Sequence, residues 1–482
     1  MTNVDVGWNA PLGERYDIVV IGGGIHGVCV TYEAARRGLS VLLLERKDFG
    51  SGTSSNSMKI VHGGLRYMQD FDFKRVIDSN REFRILQHIA PALVQPLSCQ
   101  LDVRGRGVLF SLKFRSGLAL YNAIAKFAAR AVPSALDVPA SHYPGWYDGI
   151  ILDTEEFLLS YLHTAFREES GKVAFRNHVG DVTVMCREGR AVAVTTASTG
   201  PIEAGAIIEC VGVAREGQPV GMAMNLIVDR LDLNAGAIAR GFVHPHDGRS
   251  VFTVPWRDAS IVGTFERSYS GDPREALSID PEVIDEFLAW LAPVHAEFAK
   301  LTRGDVRFVH AGLLPKDAHE SEELSRASKV DETEDGRIRV LGVKYTTSRA
   351  LASQAIQRAA THLDKSVDDA LDRLVPLISR SALVREFTAE YPKLSRPLAG
   401  GELTEGDVVF AVRHELAVDL TDVLFRRTRV ANAGHPGDTL IHAVAGMMAS
   451  LIGWTDSEKQ KQIEQFEDDI HFTGGNIGTV VR

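Results

Sequence analysis

Apolar positions change period several times along this chain, and each change predicts an element. Residues 16–21 read YDIVVI, a short β-branched run typical of a strand buried on both faces. Glycines at 22, 24 and 27 follow at once. A helical stretch, VCVTYEAARR, comes next, with Gly38 where a helix C′ glycine belongs. Residues 40–44, SVLLL, form a second buried run that ends on Glu45. Between 172 and 210 three segments alternate with period two, and Glu188-Gly189 supplies a turn between runs, so a β-meander is expected. From about Asp368 the pattern becomes helical and charged, with RPLAGGEL as a linker-like break and SEKQKQIEQFEDDIHF as an amphipathic surface helix.

The first of these segments carries chemistry. Gly22, Gly24 and Gly27 make G-x-G-x-x-G between a strand and a helix, and a second strand ends on an acid 18 residues later. Gly22 permits the tight turn, Gly24 lets backbone approach a pyrophosphate, and Gly27 allows close packing of helix on strand. The helix N-terminus offers free N–H groups to phosphate, and Glu45 can accept from ribose hydroxyls. A loop of small, hydroxyl-rich residues, 51–57, follows the second strand and suits a long pyrophosphate-bearing cofactor. The expected class is α/β: a Rossmann-like dinucleotide-binding domain, a β-rich middle and a C-terminal helical cap.

Composition narrows the classes. The chain has 482 residues, 45% hydrophobic and 24% charged, which excludes a disordered, fibrous or small disulfide-stapled protein. A net charge of −10 leaves no global basic footprint for nucleic acid. Cys29, Cys99, Cys186 and Cys210 are scattered, so no structural zinc site is expected and a reduced, cytoplasmic setting fits. The first fifteen residues lack the apolar core of a signal peptide, and no apolar run approaches the roughly 18 residues of a spanning helix. Residues 103–130 set Arg104, Arg106, Lys113, Arg115, Lys126 and Arg130 among Leu, Phe and Val. Such a face either lies peripherally on an anionic membrane or is an ordinary solvated helix.

Residues 53–67, TSSNSMKIVHGGLRY, resemble the signature of the FAD-dependent glycerol-3-phosphate dehydrogenase family. Residues 251–265, 341–349 (LGVKYTTSR) and 412–429 resemble further blocks of that family in the right order. The resemblance implies a D-amino-acid-oxidase-like flavoprotein fold. It divides the chain into an FAD-binding domain (1–99, 166–215 and 306–367), a substrate domain (100–165 and 216–305) and a cap (368–482). It implies noncovalent FAD held by Gly22, Gly24, Gly27, Glu45, Arg46, Thr53, Ser54, Ser55, Lys59, His62, Gly63, Gly64, Val179, Gly212, Gly342, Lys344, Tyr345 and Thr346. His62 would lie beside the flavin and the substrate hydroxyl. Arg66, Tyr67, Arg326 and Lys344 would surround an anionic, phosphorylated group. The catalytic set is then His62, Lys344 and Arg66. A histidine suits proton abstraction near neutral pH, and an Arg/Lys cluster suits a dianion.

The chain departs from the family where the reaction would occur. Leu314 stands at the position of an arginine, and a leucine cannot stabilise a developing alkoxide. Lys316 and His310 are the nearby donors that could replace it. Met58, Val343 and the segment 209–213 also differ from the family pattern. The expected activity is hydride transfer from a small anionic alcohol to flavin, with the substrate shifted from glycerol-3-phosphate. An amine or amino-acid oxidase, and an FAD protein without turnover, are the alternatives. Quinone, oxygen or a carrier protein as electron acceptor, and the oligomeric state, leave no mark in the sequence.

Overall fold

The computed structural model describes residues 8–68, 71–103, 107–129, 145–168, 171–213, 219–274, 277, 279–316, 324, 328–367, 374–469 and 478–479. The YDIVVI run is strand β1 (Arg15–Ile21), followed by helix α1 (Ile25–Ala35) and strand β2 (Val41–Leu44). β1 lies between β2 and the strand Thr199–Glu209 and is parallel to both. Its neighbours continue outward to Val173–Arg176 on one side and to Ile338–Leu341 and Lys329–Glu332 on the other. The hairpin Thr183–Arg187 and Arg190–Thr196 branches from Thr199–Glu209, and its turn holds Glu188 and Gly189 at positive φ. Ile18, Val19 and Val20 are fully buried because α1 covers one face of the sheet and the meander the other. Helices Thr154–Glu168 and Ser348–His362 pack beside α1.

A second sheet of nine strands stands against the first. Within it Val220–Asp229 is antiparallel to both Val306–Pro315 and Ala259–Ser268, and Val306–Pro315 pairs on its far side with Gly478–Thr479. Beyond these come Ser250–Trp256, Ile238–Val243, Val94–Leu101, Gly145–Ile151 and Ile60–Val61.

The two sheets draw their strands from several of the expected segments. Val306–Pro315, placed by sequence with the FAD-binding segments, pairs with Val220–Asp229 in the second sheet. Thr154–Glu168, placed with the substrate segments, packs on α1 of the first sheet. Strand partners and helix seats are set by distant residues, which local pattern does not report.

The C-terminal helices Arg380–Glu390, Glu405–His414, Asp438–Ile452 and Asp456–Asp469 are largely where the pattern puts them. They form a C-terminal helical domain that packs on the second sheet. Leu420, Phe425, Val444 and Phe466 share one core with Ile227, Trp256 and Phe308 of the second sheet. RPLAGGEL is a tight turn inside this unit, with Leu398 and Leu403 buried. Buried ion pairs also fasten it: Asp48 receives Arg426 at 2.5 Å and Arg427 at 2.6 Å.

Candidate functional site

A cleft of about 2280 Å³ runs from the C-terminal ends of β1 and β2 to the face of the second sheet. Open α/β sheets bind ligands at this end, where strand order reverses. The volume exceeds the roughly 300–1,000 Å³ of an ordinary small-molecule pocket, so a dinucleotide and a small substrate fit together.

The glycine loop is built as its spacing predicts. Gly22 has φ +105°, and a Cβ there would lie 2.6 Å from the Cys210 carbonyl oxygen. A Cβ on Gly27 would fall inside the Gly22 carbonyl. Gly24 is the N-cap of α1 and has no capping side chain of its own. Ser54 Oγ accepts the Ile25 N–H at 2.9 Å, so the hydroxyl-rich loop is seated on the helix N-terminus. Thr53 packs against Gly312 of the second sheet. Ser55 Oγ donates to the Gly50 carbonyl at 2.7 Å, and Tyr345 donates its hydroxyl to the Ser54 carbonyl. Glu45 accepts from Gly23 N–H at 2.6 Å and Lys47 N–H at 2.8 Å. A carboxylate has about four lone-pair sites, so acceptors remain for ribose hydroxyls. Burial raises its pKa, and the two amides oppose that.

These residues fit FAD on their own terms. The glycine cradle excludes Cβ atoms, and the cleft-lining residues His26 and Asn56 each hold a buried polar atom with no protein partner, Nε2 and Oδ1. His26 lies inside the glycine loop and against Gly342, and burial pushes its imidazole down to about 4. The sequence reading assigned His26 nothing, although its place in the motif was visible.

Other expected cofactor residues are placed unequally. Gly64 and Gly212 line the cleft at positive φ, Gly342 lines it too, and Gly63 lies in the turn between His62 and Gly64. Arg46 lines it and donates to the Arg274 carbonyl at 3.1 Å. Lys59 turns its ammonium away, to the Ser55 carbonyl at 2.8 Å and Thr154 Oγ1 at 2.6 Å, so the charge braces the loop instead of meeting cofactor. Val179 is buried in the sheet core and gives its N–H to the Glu45 carbonyl at 3.2 Å, which removes that donor from the cleft. Trp256 is core: its Nε1 donates to Leu152 at 2.9 Å.

Of the residues expected at the reaction end, His62, Arg66, Tyr67 and Lys344 all line the cleft. His62 follows the short strand Ile60–Val61 and lines the cleft, with its ring 5.9 Å from that of Tyr67. Loss of bulk water, and then the Lys344 charge, hold its imidazole at about 3, so it stands neutral. Lys344 Nζ donates to the Tyr67 hydroxyl and lies 4.5 Å from the ring centroid. Burial, and then Arg66, lower its ammonium to about 8. Arg66 is exposed at the same mouth. Arg326 lies outside the described residues.

Leu314 lines the cleft, on the same face of its strand as Gly312, which meets Thr53. Neither stand-in donor reaches it. Lys316 gives its ammonium to Ser268 Oγ at 3.3 Å, and His310 Nε2 donates to the Asn432 carbonyl at 3.0 Å. His310 is fully buried, which pushes it down to about 3.

A second cluster, Asp48, His178 and Asp422, brings three donor atoms within 4.8 Å of one another. Arg426 already pairs with both carboxylates, and Arg427 with Asp48, so the buried charge is met by the protein itself.

The profile described as "FAD dependent oxidoreductase" matches residues 17–343, and that of the "C-terminal domain of alpha-glycerophosphate oxidase" matches residues 379–459. The chain is 28% identical to a glycerol-3-phosphate dehydrogenase of Synechocystis, over 94% of this chain and 96% of the relative. It is 27% identical to the aerobic glycerol-3-phosphate dehydrogenase of Escherichia coli K12, over 86% and 94%. Among solved structures it has the fold of the Bacillus halodurans glycerol-3-phosphate dehydrogenase complexed with FAD. There the TM-score is 0.67 at 21% identity, covering 95% of this chain and 94% of that one.

Proposed function

The chain belongs to the family of FAD-dependent oxidoreductases and is an FAD enzyme, and on that premise we propose that it oxidises a small anionic alcohol other than glycerol-3-phosphate. One observation carries the reading: Lys344, Tyr67 and Arg66 frame an anion site beside His62, while Leu314 replaces the charged donor at the reacting centre.

Each group then has a role. Lys344 and Arg66 bind the substrate anion, and Tyr67 orients Lys344. His62, neutral in the empty cleft, accepts the hydroxyl proton. Binding a dianion offsets the Lys344 charge that depresses His62, so the base strengthens when substrate arrives. The bound flavin supplies the hydride acceptor. Without a charged donor at 314, an alkoxide is poorly stabilised, and loss of one such donor costs about 10²–10³ in rate. A substrate carrying its own proton relay or a more acidic hydroxyl is less affected.

In this reading the first sheet holds the cofactor, the second shapes the substrate space and the C-terminal helices brace both. The helix Gly107–Ala129 adds a further element. Phe110, Lys113 and Phe114 line the cleft, while Val108, Leu109 and Leu112 face solvent, 87%, 67% and 60% exposed. An apolar ridge with Lys113 and Arg115 at a cleft mouth supports peripheral docking on an anionic lipid surface. Among the described residues no helix is long and apolar enough to cross a membrane.

The test is anaerobic photometric reduction of the flavin by a panel of phosphorylated, carboxylated and uncharged alcohols. An anionic alcohol faster than glycerol-3-phosphate supports the reading. Equal reduction by uncharged analogues contradicts it.

A further inference from the structure

We propose that Asp148 is a positioning residue for His62. Its carboxylate fixes the His62–Gly63–Gly64 turn by holding the Gly63 amide. The inference rests on the reading of His62 as proton acceptor and adds the part that aims it.

Asp148 lies in the strand Gly145–Ile151, which pairs with Ile60–Val61, the two residues that lead into His62. Its Oδ1 accepts the Gly63 N–H at 2.7 Å, and its Oδ2 accepts Trp146 Nε1–H at 2.9 Å. On the other side of the same residue, Asn80 Nδ2 donates to the Gly63 carbonyl at 2.7 Å and to the Val76 carbonyl at 2.9 Å. Gly63 is thus gripped at both its N–H and its C=O from two elements, one a strand of the second sheet and one the helix Phe73–Ile89. A side chain at 63 has no room, because Tyr121 Oη occupies that space. The turn cannot rotate without breaking a buried charged hydrogen bond.

The choice of a carboxylate is informative. Asp148 and Asn80 are both buried, and burial lifts the Asp148 carboxyl to about 6 against the pull of its two hydrogen bonds. Tyr121 and Cys99 also face it, and both are held protonated by burial, so neither counters its charge. Burying a carboxylate is costly, and a neutral acceptor would be cheaper. An asparagine, however, has one acceptor and would set its NH₂ against one of the two N–H groups. Only a carboxylate accepts from both the Gly63 amide and the Trp146 indole. Charged acceptors also hold their donors more strongly and more closely.

The test compares Asp148→Asn, Asp148→Asn/Trp146→Phe and His62→Ala as FAD-loaded proteins, with saturating glycerol-3-phosphate as the probe. Three quantities are read: the rate of flavin reduction, the KM for the probe, and the His62 ring signals in ¹⁵N-histidine-labelled protein, assigned by their loss in His62→Ala. Asp148→Asn is expected to slow reduction by about 10-fold to 10², the scale of a misplaced reacting group. KM and bound FAD stay near native, because Arg66 and Lys344 are untouched, and the His62 signals shift or broaden. Removing the indole frees the asparagine carbonyl for Gly63, so the double variant recovers most of the rate and the native His62 signals. If His62→Ala is slow while Asp148→Asn reduces flavin at the native rate with unmoved His62 signals, the positioning role is overturned. If His62→Ala is as fast as native, the base reading fails and this inference fails with it. Should Asp148→Asn not accumulate folded, Asn80→Ala loosens the same clamp from its carbonyl side. In that variant the Asp148 bond to the Gly63 amide still stands, so Asp148→Ser, whose hydroxyl is too short to reach that amide, is read beside it; native His62 signals and rate in Asp148→Ser overturn the proposal.

Discussion

Lys344 and His62 give the site its pH behaviour. Lys344 is lowered to about 8 by burial and by Arg66, so its positive charge is present below pH 8 and is lost as pH rises through it. KM for an anionic substrate should therefore climb above pH 8, while an uncharged analogue shows no such rise. His62, at about 3 in the empty cleft, is neutral there across the working range, so kcat/KM should not fall from its protonation between pH 5 and 8. His62→Ala should slow flavin reduction by about 10² or more with the flavin spectrum intact. Arg66→Ala should raise KM more than it lowers kcat, as expected for a contact made equally in ground and transition states. Steady-state kinetics over pH with both variants checks all of these. Gly22, Gly24, Gly27 and Glu45 were legible because strand, loop, helix and acid are consecutive. Asp148 was not: it lies 85 residues from the turn it holds, inside an apolar strand, with no local spacing to mark it.

At the scale of elements, the loop-and-helix unit tolerates little. Gly27→Ala would drive a Cβ into the Gly22 carbonyl, so α1 must separate from β1. The expected outcome is a folded protein with little bound FAD, or none folded, read from the flavin-to-protein absorbance ratio; a fully loaded variant contradicts it. The C-terminal helices depend on a different contact. Asp48 is fully buried between Arg426 and Arg427, and removing one member of such a group leaves charge uncompensated. Asp48→Ala should cost about 3–5 kcal/mol in chemical denaturation. Runs such as YDIVVI and the meander were readable because a strand's burial pattern is local. The pairing of Val306–Pro315 with Val220–Asp229 was not legible, because the two strands lie far apart in the chain. The C-terminal helical domain was legible from its pattern, but its seat on the second sheet was not: Phe308 meets Phe425 at 5.9 Å, a pairing no linear pattern shows.

For the whole molecule, two sheets and a helical buttress place a cofactor cleft beside an exposed apolar ridge. Sedimentation with phosphatidylglycerol-rich vesicles should recover the native protein in the pellet, and Leu109→Glu/Leu112→Glu should leave it in the supernatant. Native protein that stays in the supernatant would remove the lipid-docking role. In the proposed reading, catalysis within that frame turns on Leu314, which lines the cleft with no polar side-chain atom to offer. The most direct measurement is the anaerobic rate of flavin reduction by saturating glycerol-3-phosphate, in native protein and in Leu314→Arg. The account predicts a native rate far below the roughly 10 s⁻¹ of an ordinary enzyme, and a gain of up to about 10²–10³ in the variant. A native rate near 10 s⁻¹ with no gain from Leu314→Arg would contradict it.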